Sequence, residues 1–219
     1  MTRKQYDEQL SELKGMLIEM GRLNAEAVED IFRALKKGKA EPAKKTKALE
    51  ILVDEKESET ERLCLKLILK QQPVASDLLF VTAAMKMITD MERIADQAED
   101  IGDLIIKTEN LKDAPELSDI AEMSERVWKM VCMAMEAFKE RNTDKAKETC
   151  RADDAVDDLF EEIRNRLNAK SKTAKEEEDV EIALNMLMIA KYLERIGDHA
   201  TNIAEWVLFM MTGEHKKLN

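Results

Sequence analysis

Few residues in this sequence can interrupt a helix. Among 219 residues there are 6 glycines and 3 prolines, so long uninterrupted helices are expected. Strand signals are also missing. No run alternates β-branched and aromatic residues, and aromatics make up only 4% of the chain. Cysteine is scarce and odd in number. Cys64, Cys132 and Cys150 form no Cys-x-x-Cys pair, which argues against a disulfide framework and fits a reducing, cytoplasmic location. Cys64 and Cys132 fall within apolar helical patterns and are expected in the core. No stretch reaches the ~18 consecutive apolar residues of a membrane span. Met1 to Leu10 carries Asp7 and Glu8 and no apolar segment. Neither direct membrane insertion nor a signal peptide is expected.

Positive charge is in deficit. There are 35 Lys and Arg against 46 Asp and Glu, a net charge of −11. Nucleic acid is therefore not an expected partner, since duplex binding needs a basic footprint. An acidic chain suits a cation or a basic patch on another protein, although most such charges are solvated helix faces. Catalytic motifs are absent too. There is no Gly-x-x-x-x-Gly-Lys loop and no nucleophile-plus-base pattern. A ferritin-like di-iron site needs Glu-x-x-His on two helices, but the residues three before His199 and His215 are Ile196 and Thr212. A phosphohydrolase of the His-Asp type needs several histidines; this chain has 2, and Asp198-His199 is the reversed dipeptide. The chain is expected not to be an enzyme.

What is present is helical periodicity, written twice. Leu10, Leu13, Leu17, Met20, Asn24, Ala27 and Ile31 alternate steps of three and four, which places them on one helix face. Gly38 stops that helix, and Pro42 suits an early position of the next. The second stripe includes Leu49, Val53, Thr60, Cys64 and Leu67, and it breaks at Gln72-Pro73. Ser76-Asp77 can cap the third helix, whose stripe is Ala84, Ile88, Met91, Ala95, Ala98, Gly102 and Ile105. A polar stretch with Pro115 follows. Met123, Val127, Met130, Ala134 and Ala137 then mark a fourth helix, and Ala152, Val156, Leu159, Ile163 and Leu167 a fifth. A charged connection from Lys170 to Asp179 leads to a sixth, with Met186, Ala190, Leu193, Gly197, Ala200, Ala204 and Val207.

The sixth stripe is the third shifted by 102 residues, and Met91-Glu92-Arg93-Ile94-Ala95-Asp96 stands against Leu193-Glu194-Arg195-Ile196-Gly197-Asp198. On the preceding helices Glu57 and Glu61 align with Asp153 and Asp157 at a shift of 96. The difference is expected in a longer second loop. A tetratricopeptide array is rejected, because nothing recurs at its period of about 34 residues. The expected fold is all-α: two tandem three-helix bundles related by internal duplication, over residues 1–110 and 116–219.

Carboxylates recur four residues apart in both copies. The first has Glu57 and Glu61, then Glu92, Asp96 and Asp100. The second has Asp153 and Asp157, then Glu194 and Asp198, with Asn202 in the place of Asp100. Residues at i and i+4 lie one turn apart on one face, and these acids border the apolar stripes. Acids gathered beside an apolar seam repel one another more as the dielectric falls. Three readings remain open: a cation such as Mg, Mn or Fe held by oxygen ligands, internal pairing with Arg93, Arg195 or Lys191, and plain solvation. His199 is either a nitrogen ligand or a satisfied core or surface group. Asn24 either sets helix register or contributes to a site.

These residues resemble a known family. Glu92-Arg93-Ile94-x-Asp96 and Glu194-Arg195-Ile196-Gly197-Asp198-His199-Ala200-x-Asn202-Ile203 are similar to the twin signatures of PhoU proteins. Gln72-Pro73-Val74-Ala75-Ser76-Asp77-Leu78 resembles that family's first-unit loop, and Asp153-x-x-x-Asp157 its motif on the second and fifth helices. The resemblance spans about residues 8 to 210. It implies a cytoplasmic, commonly dimeric, non-enzymatic regulator that restrains the phosphate-starvation response. Its implied partners are the ATPase of the phosphate ABC transporter and a sensor histidine kinase. It also implies Fe, Zn, Mn or Mg at the acidic motifs. One ligand set would be Glu57, Glu61, Glu92 and Asp96, and the other Asp153, Asp157, Glu194 and Asp198, with Asp100 and Asn202 as possible additions. Glu61 and Ala95 depart from the family's usual Asp and Gly.

Overall fold

The computed structural model describes residues 3–71, 73, 76–108, 111–114, 116–172 and 177–214. Six helices carry the fold: α1 (Arg3–Lys37), α2 (Thr46–Gln71), α3 (Ser76–Lys107), α4 (Leu117–Glu140), α5 (Thr143–Ser171) and α6 (Glu177–Thr212). α1 ends where Gly38 takes φ +57°. The Gly38 amide donates to the Leu35 carbonyl and the Lys39 amide to that of Ala34. That pair of bonds is a Schellman ending, which satisfies carbonyls the helix would leave open. The α4–α5 corner repeats the device with Arg141 at φ 54°. The next residue then starts the new helix: Asn142 Oδ1 accepts from the amides of Asp144 and Lys145, each at 3.1 Å.

The helices form three layers. α3 packs on α6 and α1 on α4 in the middle. α2 lies outside, on α1 and α3, and α5 lies opposite it, on α4 and α6. The buried apolar side chains of both halves, from Leu13 to Met210, make one cluster. Phe32 of α1 stacks on Trp128 of α4 with ring centres 6.0 Å apart. The two three-helix units are therefore built on one shared core.

Several local expectations need correction. Pro42 opens a separate 3₁₀ turn, Pro42–Lys45, ahead of α2. Ser76 is the first residue of α3, and the Asp77 carboxylate accepts the Tyr6 hydroxyl at 3.2 Å. The connection before α6 is shorter than Lys170 to Asp179, because α5 runs to Ser171 and α6 starts at Glu177. The extra residues of the second copy mostly lengthen α5, by about one turn beyond its aligned acids. Helix extension keeps backbone bonds paired that a loop would expose. Cys64 is buried as expected, but Cys132 is half-buried and Cys150 is the second buried thiol. Gln72, Val74, Ala75 and His215 lie outside the described residues.

Candidate functional site

In the first unit the acids line the groove between α2 and α3. Glu57, Glu92 and Asp96 are half-buried, while Glu61 and Asp100 are exposed. Burial raises the Glu57 carboxyl above its ordinary range, helped by Glu61 and Asp54 and opposed by Arg93. Burial, with Asp96 beside it, pushes Glu92 up to about 7 against the pull of Arg93. Asp96 is raised mainly by burial, and Arg93 again opposes. The Arg93 guanidinium contacts Glu92 at 3.2 Å and Asp96 at 3.1 Å. Internal pairing, one of the three sequence readings, is thus present here.

Asp96 also joins two acids that the sequence reading passed over. Glu50, Asp54 and Asp96 each offer a carboxylate oxygen within 4.8 Å of the other two. This is the one such trio among the described residues. Burial raises Glu50, and Asp54, to which it is hydrogen-bonded, raises it further. The sequence carried the signal, because Glu50 and Asp54 are again four apart. The alignment of the two copies hid them: their counterparts are Ala146 and Cys150.

In the second unit the arrangement is deeper. Asp153 on α5 is 2% exposed. Burial raises its carboxyl to about 7, with Asp157 and Asp198 adding repulsion and a hydrogen bond with Thr201 opposing. Gly197 of α6 makes room for it: a Cβ there would lie 3.2 Å from Asp153 Oδ1. Asp157 and Asp198 are exposed and are raised by burial first and Glu194 second. Lys191 pairs with Glu194 at 2.5 Å. Asp153, Asp198, His199, Asn202 and Glu205 line an open cavity of about 450 Å³.

His199 and Asn202 also reach across the middle layer. His199 Nδ1 lies 2.9 Å from Asp90 Oδ1 of α3, and Asn202 Nδ2 donates to the same oxygen at 3.1 Å. The exchange-related pair is Tyr192 of α6 with Asp100 of α3, which are hydrogen-bonded. Positions 90 and 100 map onto 192 and 202 under the repeat, so the two ties are related by a local two-fold. Asp90 and Tyr192 carried no sequence signal, because neither belongs to a repeated acidic motif. Asn24 is 1% exposed, and neither end of its amide has a hydrogen-bond partner among the described residues.

A hard cation takes oxygen ligands at about 2.0–2.6 Å, so ligand oxygens up to roughly 5 Å apart can share one ion. The trio of Glu50, Asp54 and Asp96 meets that span. The remaining candidates form no such trio among the described residues. Burial pushes Glu92 and Asp153 up to about 7, whereas the Arg93 and Lys191 cations favour the ionised form of the acids beside them.

Comparison with known proteins extends over both halves. The family model described as PhoU domain matches residues 17–105 and 120–207. The phosphate-specific transport system accessory protein PhoU homolog of Clostridium acetobutylicum is 35% identical over 221 residues, covering 100% of each chain. The homolog from Zymomonas mobilis is 33% identical, covering 97% of this chain and 89% of that one. Among solved structures, PhoU from Pseudomonas aeruginosa superposes with a TM-score of 0.89 at 26% identity, over 95% of this chain and 100% of that one. The phosphate transport system regulatory protein PhoU from Streptococcus pneumoniae shares the fold, with a TM-score of 0.87 at 24% identity over 97% of this chain and 100% of that one.

Proposed function

The chain belongs to the PhoU family, and from that membership we propose that it is an accessory protein of the phosphate-specific transport system, acting as a cytoplasmic, non-catalytic negative regulator of the phosphate-starvation response. Its partners in this reading are the transporter ATPase, a sensor histidine kinase and a second copy of itself. The observation that carries the reading is the pairing of two family domains across the chain, each presenting a carboxylate-lined helix groove. In the first groove Glu50, Asp54, Asp96, Glu57 and Glu92 would hold a divalent or iron-type ion. In the second, Asp153, Asp157, Glu194 and Asp198 would do so. A bound ion would supply positive charge that replaces Arg93 and Lys191 as counter-cation, freeing those side chains for an acidic partner surface. Among the described residues no helix is long and apolar enough to cross a membrane; the reading places contact with the transporter on its cytoplasmic parts.

The test combines a reporter of the phosphate response with melting curves. Loss of the chain should raise expression of starvation genes in phosphate-replete cells, and the intact chain should restore repression. Divalent cations should raise the melting temperature of chelator-treated protein, because a ligand held only by the folded state stabilises it. Asp198→Asn should reduce that rise. Melting curves unchanged across Mg, Mn, Fe and Zn would remove the metal from the proposal. A second reading is favoured by the Arg93 and Lys191 ion pairs: a metal-free helical adaptor serving another transporter. Unaltered phosphate-gene expression on deletion would favour it.

A further inference from the structure

The flanking helices α2 and α5 hold equivalent places, yet their outward faces differ. On α2, Ile51, Leu52, Leu65 and Leu69 are 49%, 44%, 42% and 78% exposed. The aligned residues of α5 are Lys147, Glu148, Glu161 and Asn165, and among the described residues α5 exposes no large apolar side chain. A solvated flank needs no such apolar groups, as α5 demonstrates. The face of α2 is therefore built to be covered.

The order of residues along that face indicates what covers it. Glu55 and Arg62 are exposed, lie two turns apart on the same stripe and carry opposite charge. Arg62 reaches the Ser58 carbonyl at 3.0 Å. Neither side chain forms an ion pair among the described residues, whereas the neighbouring Lys56 and Glu59 pair with each other at 2.8 Å. Read from the N-terminal end, the stripe runs apolar (Ile51), acidic (Glu55), small (Ser58), basic (Arg62), apolar (Leu65, Leu69). The two charges stand at equal distance on either side of a midpoint between Ser58 and Glu59. A second α2 laid antiparallel about that midpoint sets Glu55 level with Arg62 of the partner subunit. It also sets Leu52 level with Leu65 of the partner subunit. The two-fold makes each contact twice, as a closed isologous interface requires. A parallel arrangement would set Glu55 against its own copy.

We infer that the outward face of α2, centred between Ser58 and Glu59, is the surface through which two copies of this chain associate. An anionic membrane fits less well: the chain carries a net charge of −11, and Glu55 and Glu59 share the face. This inference deepens the homodimer of the proposed function, and its test separates the two. The full chain is analysed by sedimentation across the micromolar range. The parent is expected to be a dimer. Glu55→Arg and Arg62→Glu should each weaken the dimer about tenfold or more, because each sets like charges together. The double reversal should recover the parent affinity to within a few-fold. Leu65→Lys should dissociate the dimer while circular dichroism remains that of the parent. A dimer indifferent to both reversals overturns this surface and leaves the homodimer standing. A parent that stays monomeric overturns both and assigns the face to a different protein.

Discussion

Glu57 and Asp153 occupy equivalent positions in the two units, but one is half-buried and the other almost wholly enclosed. The facing residue accounts for the difference in depth. Gly197 on α6 leaves space that a Cβ would fill within 3.2 Å of the Asp153 carboxylate, whereas the aligned residue of α3 is Ala95. A short acid is matched with glycine, and a longer one with alanine. The first groove then adds Glu50 and Asp54 where the second has Ala146 and Cys150. Duplication has kept the frame and divided the roles. One groove is rich in half-buried acids, and the other encloses one acid, Asp153, almost completely. The two should bind cations with different affinity and respond differently to pH.

The largest expected contrast is in pH dependence without metal. The folded-state pKa of Asp153 is about 7, raised from 3.8, so the folded protein binds that proton more tightly than the unfolded chain. The stability it contributes is complete below about pH 4 and is lost as pH rises through 7. The shift corresponds to up to roughly 4 kcal/mol. In chelator, Asp153→Asn should therefore be more stable than the parent at pH 8 and show a flatter pH profile. Glu57→Gln should change stability in the same direction by less. Urea unfolding at pH 5 and pH 8 measures both. A parent that gains stability over that interval would contradict the burial of a protonated Asp153.

Next is the glycine itself. Gly197→Leu should cost about 3 kcal/mol, the upper end of overpacking, leave the protein helical and weaken cation binding in the second groove alone. Ala95→Leu should act on the first groove and leave the second bound. Circular dichroism combined with metal titration distinguishes them. Equal loss from both grooves in either variant would mean that the two are not separate.

The smallest contrast concerns the two ties across the middle layer. Asp90→Leu removes the oxygen shared by His199 and Asn202 and should cost about 1–2 kcal/mol, because two partly buried donors lose their acceptor. Tyr192→Phe loses one bond to the exposed Asp100 and should cost less than about 1 kcal/mol. Denaturant midpoints of the two variants give the comparison, and a larger cost for Tyr192→Phe would reverse it.

The helices were legible because their apolar stripes are long and their stops are explicit, as at Gly38. The repeat revealed Glu57, Glu92, Asp153 and Asp198 through their aligned motifs. It also concealed Glu50 and Asp54, since a pattern sought in both copies cannot show what only one has. The Pro42 turn was misplaced because proline is equally at home in the first turn of an α-helix and in a 3₁₀ turn. The Asp90 tie depends on which faces of α3 and α6 meet, and periodicity along one helix does not fix that. The depth of Asp153 likewise depends on a residue 44 positions away, Gly197.

The local two-fold that exchanges the Asp90 tie with the Tyr192 tie has a consequence for assembly. A seam that looks the same after its halves are exchanged is one that a lone three-helix unit could close with its own twin. Such a pair would come apart on dilution. Joining the halves by the short 108–116 connection holds each at an effective concentration in the millimolar range or above, so closure becomes independent of how much protein the cell makes. Once the halves are tethered, one of them can change without forcing the same change on the other. Asp100 and Asn202, or Glu57 and Asp153, could not have diverged in a true pair of twins, where every substitution is made twice.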